Sequence, residues 1–153
     1  MKKALVAVDD SRGSLSVVER LSDFFSNTSP EKIVLLYVEK IEGKSLMDEM
    51  LGDAELSTLK IALKETDYQE ALDKKAKTVL DFFEKALKEK GFTEIKRVVK
   101  EGHPADEILA TAKEENVELI VVGSRGKRLH TFLMGSVSRE VSNRSGISVL
   151  IAR

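Results

Sequence analysis

Six residues late in the chain, Gly123-Ser124-Arg125-Gly126 and Gly135-Ser136, have the types and spacing that bind an anion through main-chain amides. Glycine lets the backbone come close to an anion where a Cβ would intrude. The apolar run Leu119-Ile120-Val121-Val122 opens straight into the first group, and a helix-like segment follows the second. Amides in the first turn of a helix have no intrahelical acceptor, and the helix dipole adds partial positive charge there. The anion this arrangement suits is the phosphate chain of a nucleotide. Arg125, Lys127, Arg128, Arg139 and Arg144 crowd into the same stretch against the single carboxylate of Glu140, in a chain of net charge −1. The positive field is therefore local. The plainer alternative is a tight strand-to-helix connection with solvated arginines, and spacing alone does not separate the two.

Other chemistries find little material. With no cysteine there is no disulfide framework, thiolate nucleophile or Cys-type zinc site. Only His103 and His130 remain for acid–base or metal work, neither with an obvious orienting carboxylate and serine partner, so no nucleophile–base pair assembles. His103 precedes Pro104 and reads as a turn residue. A near-neutral chain without tryptophan is unlike a nucleic-acid-binding module. No apolar run approaches the roughly 20 residues that span a bilayer, and Ala4–Val8 is short for the apolar core of a signal peptide. The expected compartment is the cytoplasm.

The elements that must carry these residues alternate along 153 residues, a length that suits one domain. Strand-like runs at Lys3–Asp9, Lys32–Val38, Ile95–Lys100, Glu118–Gly123 and Ile147–Ala152 are nearly continuous in apolar character, as in strands covered on both faces. Between them Leu15, Val18, Leu21 and Phe25 recur at helical spacing, and Tyr68, Leu72, Ala76, Val79, Phe83 and Leu87 form a long stripe ending at Gly91. A third helix opens at Pro104 with Ile108, Leu109 and Ala112 on one side. A fourth runs from Ser136 to Ser145, with Val137 and Val141 inward and Ser136 a candidate N-cap. Residues 39–66 form a long connection read as one or two short amphipathic helices that pack on the sheet, cover the site or meet a partner.

Alternating strands and helices imply βαβ units and a doubly wound α/β fold, with ligands outside the carboxyl ends of the strands. The loop Asp9-Asp10-Ser11 then matters as much as the glycine loop. It is not a dinucleotide fingerprint, which needs G-x-G-x-x-G after the first strand, and two residues between Gly123 and Gly126 rule out a Walker A loop. The paired acids resemble a receiver domain, but no aspartate closes the third strand and no lysine follows the fifth.

V-A-V-D-D-S at 6–11, L-L-Y-V at 35–38, E-G-H-P-A-D-E-I-L at 101–109, L-I-V-V-G-S-R-G at 119–126, G-S-V-S-R-E-V at 135–141 and S-V-L-I-A at 148–152 together resemble the universal stress protein family over nearly the whole chain. The resemblance implies a five-stranded parallel sheet in the order 3-2-1-4-5, helices on both faces, and a homodimer formed through the edge strand Ile147–Ile151. It also implies binding of ATP, with Mg²⁺ bridging the phosphates. By matched position Asp9 would face ribose and adenine, Ala7 and Val38 the base, and Val122 the pocket wall. Gly123, Arg125 and Gly126 would meet ribose and phosphates, with Ser136, Val137 and Ser138 offering hydroxyls and amides to the β and γ groups behind the motif glycine Gly135. The ATP-binding members carry G-x2-G-x9-G-Ser/Thr, whereas eight residues, Lys127 to Met134, separate Gly126 from Gly135 here. Asp9 also has a purely structural alternative, capping the first helix, a role open to Asp10 and Ser11. The function implied is a nucleotide-dependent switch in stress response, not an enzyme, with any ATP hydrolysis slow and metal-assisted. The alternative is a nucleotide-free dimeric scaffold of the same fold. Between ATP, ADP and AMP the sequence does not choose.

Overall fold

The computed structural model describes residues 1–10, 12–39, 67–124 and 135–153. Five strands, β1 (Lys3–Val8), β2 (Lys32–Glu39), β3 (Ile95–Glu101), β4 (Leu119–Gly123) and β5 (Ser148–Ala152), form one sheet in the order β3-β2-β1-β4-β5. Every pairing is parallel, with Val6 beside Leu35 on one side and Val121 on the other. Among the described residues four helices connect them: α1 (Arg12–Phe24), α2 (Asp67–Glu89), α3 (Pro104–Glu114) and α4 (Ser136–Arg144).

Side-chain alternation divides the core into two layers. Ala4, Val6, Val8, Leu35 and Val121 meet Val17 and Leu21 of α1 and Ala76, Leu80 and Phe83 of α2. Leu5, Val34, Leu36, Ile120 and Val122 meet Ala105, Ile108 and Ala112 of α3 and Val141 of α4. The three central strands are apolar on both faces because both are covered. The edge strand β3 instead alternates with Lys96, Arg97 and Lys100, charges that discourage pairing with another sheet. Arg97 reaches from β3 to α2, 2.6 Å from Asp81 and also bonded to Glu84.

Most boundaries fall within a residue of those expected from the sequence. β1 stops at Val8, so Asp9 belongs to the loop, and β2 continues through Glu39, which is buried. In α4 Ser138 and Val141 are buried, and Val137, half-buried, packs against the same core layer as Val141, so the expected inward pair is joined by Ser138. The connection 40–66 lies outside the described residues. Among the described residues no helix is long and apolar enough to cross a membrane.

Candidate functional site

The chain leaves β1 for α1 on one face of the sheet and leaves β4 for α4 on the other. Because β1 and β4 are neighbours, the strand order of the sheet reverses between them, and the crevice such a switch point makes is the place where open α/β sheets hold ligands. Ala7, Val38 and Val122 stand at the carboxyl ends of the adjacent strands β1, β2 and β4 and share the face covered by α3 and α4. Val122 is 3% exposed, whereas Ala7 and Val38 are half-buried at the rim of that core layer. They offer a small apolar floor of the kind that suits the flat face of a base.

The polar end of the crevice is the start of α4. Ser124 N–H donates to Ala152 O at 2.8 Å, and Gly135 N–H donates to Ser124 O at 2.9 Å, so the loop 125–134 departs and returns at bonded neighbours. Gly135, not Ser136, is the N-cap, with φ −60 and ψ 158 and no side-chain cap. That corrects the capping role expected of Ser136, which occupies the first helical position and is exposed. A glycine cap has no oxygen with which to satisfy the first-turn amides of Ser136, Val137 and Ser138. No acidic residue lies in that turn. Ser138 is buried, and its hydroxyl donates to Gly135 O at 3.1 Å, so it turns back onto the helix while its amide stays in the first turn. The shortened spacing leaves the helix start at the glycine–serine pair.

At the β1 end the two acids diverge. Asp10 is exposed, and its Oδ2 lies 3.1 Å from Lys75 Nζ of α2. Asp9 is half-buried; Ser14 Oγ donates to its Oδ1 at 2.9 Å and accepts from its N–H at 3.0 Å. The carboxylate thus meets the first turn of α1 through a side-chain hydroxyl. Ser14 was not singled out from sequence; the available signal is a serine on an otherwise apolar stripe.

His103 also differs from expectation. It is the N-cap of α3 without a side-chain cap bond, and its Nε2 lies 3.2 Å from Glu140 Oε2 on α4, so this turn histidine does have a carboxylate beside it. Arg144 Nη1 lies 2.6 Å from Asp106 Oδ1 and 3.4 Å from Glu140 Oε2. Hydrogen bonding from Arg144 holds the Asp106 carboxyl below its ordinary range. Arg144 therefore ties α4 to α3, and its charge is compensated away from the loop. His103, Asp106 and Glu140 bring ligand-type atoms within 4.8 Å of one another, but the Arg144 guanidinium already supplies their positive charge. Among the described residues the first turn of α4 carries no carboxylate, so the Ser136 hydroxyl is the side-chain oxygen it would offer to Mg²⁺. Arg125 and Gly126, with Lys127, Arg128 and His130, lie outside the described residues. Of the expected positions, Ala7, Asp9, Val38, Val122, Gly123, Gly135, Ser136, Val137 and Ser138 fall around the ends of β1, β2 and β4 and the start of α4.

The profile of the Universal stress protein family matches residues 1–153. Universal stress protein MJ0577 of Methanocaldococcus jannaschii is 29% identical over 99% of this chain and 94% of its own length. A solved structure of MJ0577 superposes with a TM-score of 0.69 over the same shares of the two chains. A universal stress protein of Archaeoglobus fulgidus, solved in complex with dAMP, shares the fold at 18% identity and a TM-score of 0.60, covering 100% of this chain and 98% of that one.

Proposed function

Because the chain belongs to the universal stress protein family, we propose that it binds an adenine nucleotide, ATP, in the crevice between β1 and β4 and acts as a nucleotide-dependent regulator in stress response. The observation that carries this reading is the glycine cap of α4, which sets first-turn amides without a side-chain cap beside the apolar floor of Ala7, Val38 and Val122. Phosphates would accept hydrogen bonds from the amides of Ser136, Val137 and Ser138 and from the Ser136 hydroxyl, favoured further by the helix dipole. The base would lie on the floor, with Asp9 accepting from the nucleoside. Arg125 and Gly126 would close over the phosphates from loop 125–134, and Gly123 would let the backbone pass close to the ribose. Mg²⁺, when bound, supplies charge neutralisation on the phosphates.

The protein is read as a binding module: no described side chain forms a nucleophile with its base at the crevice. Nucleotide acts by ordering residues 124–134 and the connection 39–66, thereby changing a surface that a partner sees. Dimerisation is proposed through the Ile147–Ile151 segment, which enters the edge strand β5 from an Ile147 that is 38% exposed. Sedimentation showing only monomer at micromolar protein would remove that part.

Equilibrium titration with ATP at micromolar concentrations, on the wild type and on Gly126→Val, tests the central claim. The wild type binds, and the valine variant, whose side chain intrudes on the approach of phosphate to backbone, loses at least about tenfold in affinity. A null signal in both proteins would favour the nucleotide-free dimeric scaffold. On adding ATP, hydrogen exchange in 124–134 and 39–66 slows; acceleration in both segments would contradict the switch.

A further inference from the structure

We propose that Ser14 is a positioning residue for the nucleotide site, holding the Asp9 carboxylate in the orientation it presents to the nucleoside. The inference rests on the adenine-nucleotide reading of the crevice and adds to it a residue that touches no ligand.

The starting point is a hydroxyl where the fold asks for none. Ser14, Val17, Val18 and Leu21 form the inward stripe of α1, at 4%, 0%, 6% and 0% exposure, and Phe25 continues it at 6% just past the helix end. Such a stripe is ordinarily apolar, and alanine would fill position 14 with a better helix propensity and no polar atom to satisfy. A buried hydroxyl is costly unless it is bonded. Ser14 meets that requirement with a single partner residue: its Oγ accepts the Asp9 N–H at 3.0 Å and donates to Asp9 Oδ1 at 2.9 Å. A serine hydroxyl can do both at once because it is donor and acceptor together.

Two bonds from one atom to the main chain and the side chain of the same residue constrain more than either alone. The first fixes the loop at the exit of β1, and the second, a charge-assisted bond, selects the side-chain torsions of Asp9. The neighbouring acid cannot take over, because Asp10 is directed to Lys75 on α2. An aspartate that is already oriented loses less freedom when a ligand arrives, which is the general advantage of a preorganised site. The Asp9–Ser14 contact is thus the point at which the core layer under α1 reaches the nucleoside end of the crevice.

Calorimetric titration with ATP is carried out on the wild type, Ser14→Ala, Ser14→Thr, Asp9→Ala and the Ser14→Ala/Asp9→Ala double variant, with ligand extended into the millimolar range. Ser14→Ala weakens binding by about 3- to 10-fold in the wild-type background and by less than about 1.5-fold once Asp9 is alanine, because its effect passes through that carboxylate. Ser14→Thr keeps the hydroxyl and restores affinity. In the ligand-free proteins, three-bond scalar couplings of Asp9 report the same χ1 distribution in the wild type and in Ser14→Thr, and a broader one in Ser14→Ala. Equal losses in both backgrounds would mean that Ser14 only shapes the pocket, and would overturn the assignment. Wild-type binding with an unaffected Ser14→Ala overturns it too and leaves the nucleotide reading standing. Wild-type protein that takes up no ATP overturns the nucleotide reading and, with it, the role of Ser14 in binding.

Discussion

Placing an aspartate at position 136 should move the stability of the free protein and its response to ATP in opposite directions. Ser136 is exposed, is the first helical residue of α4, follows a cap with no side chain, and heads a turn without an acid. A carboxylate there complements the helix dipole, worth about 0.3–1 kcal/mol at an exposed site. For a chain of 153 residues, 1 kcal/mol corresponds to roughly 3 °C in Tm, so Ser136→Asp without ligand should melt about 1–3 °C higher than the wild type. At an ATP concentration of about 100 times Kd the wild type gains about 2.7 kcal/mol, or about 8 °C. A carboxylate about 6 Å from a phosphate charge, at an effective dielectric of about 40, adds about 1.4 kcal/mol of repulsion, tenfold in affinity. Two such charges cost about a hundredfold, which at the same ATP concentration leaves a shift near 1 °C. Scanning fluorimetry with and without ATP reads both numbers. Retention of the full ATP shift in Ser136→Asp would refute phosphate binding at this helix start, and a lower melting point without ligand would refute the reading of its uncapped amides.

Two further outcomes concern the frame around the site. Gly102 has φ +147, and a Cβ added there would lie 3.0 Å from Glu107 Oε1. Gly102→Ala should therefore lose about 1–2 kcal/mol in urea unfolding, and an unchanged midpoint would refute the strain. Arg97 hydrogen-bonds Glu84 and thereby lowers its carboxyl below the ordinary value of 4.5. A carboxyl depressed in the folded state contributes stability that is complete above its unfolded value and is lost as pH falls through the folded one. Arg97→Ala should flatten the fall in stability below about pH 4.5, measured by unfolding across acid pH; an equally steep acid limb would exclude the pair as its cause.

The sheet was legible because burial on both faces writes a continuous apolar run, and Leu119–Val122 or Ile33–Leu36 admits few other interpretations. Helix termini were legible where proline or glycine marks them, as at Pro104 and Gly91. The start of α4 was less so: Gly135 and Ser136 are both acceptable caps, and the choice depends on Gly135 N–H reaching Ser124 O on the far side of the loop. Contacts between distant parts of the chain left no local trace. His103 and Glu140 are 37 residues apart, and nothing in either segment announces the other. Ser14 lay hidden for a related reason: a single polar residue on an apolar helix face is ambiguous until its partner is in place.

The bond from Gly135 to Ser124 makes the intervening ten residues an exchangeable cassette. Its two attachment points are held by the sheet and by each other, so trimming one residue from the span disturbs neither socket. Closing such a span depends on the logarithm of its length, at about 0.6 kcal/mol per doubling, and one residue among ten alters it by less than about 0.1 kcal/mol. Sequence exchange between relatives can therefore replace this span on an unchanged open sheet and its helices, without recasting the domain beneath.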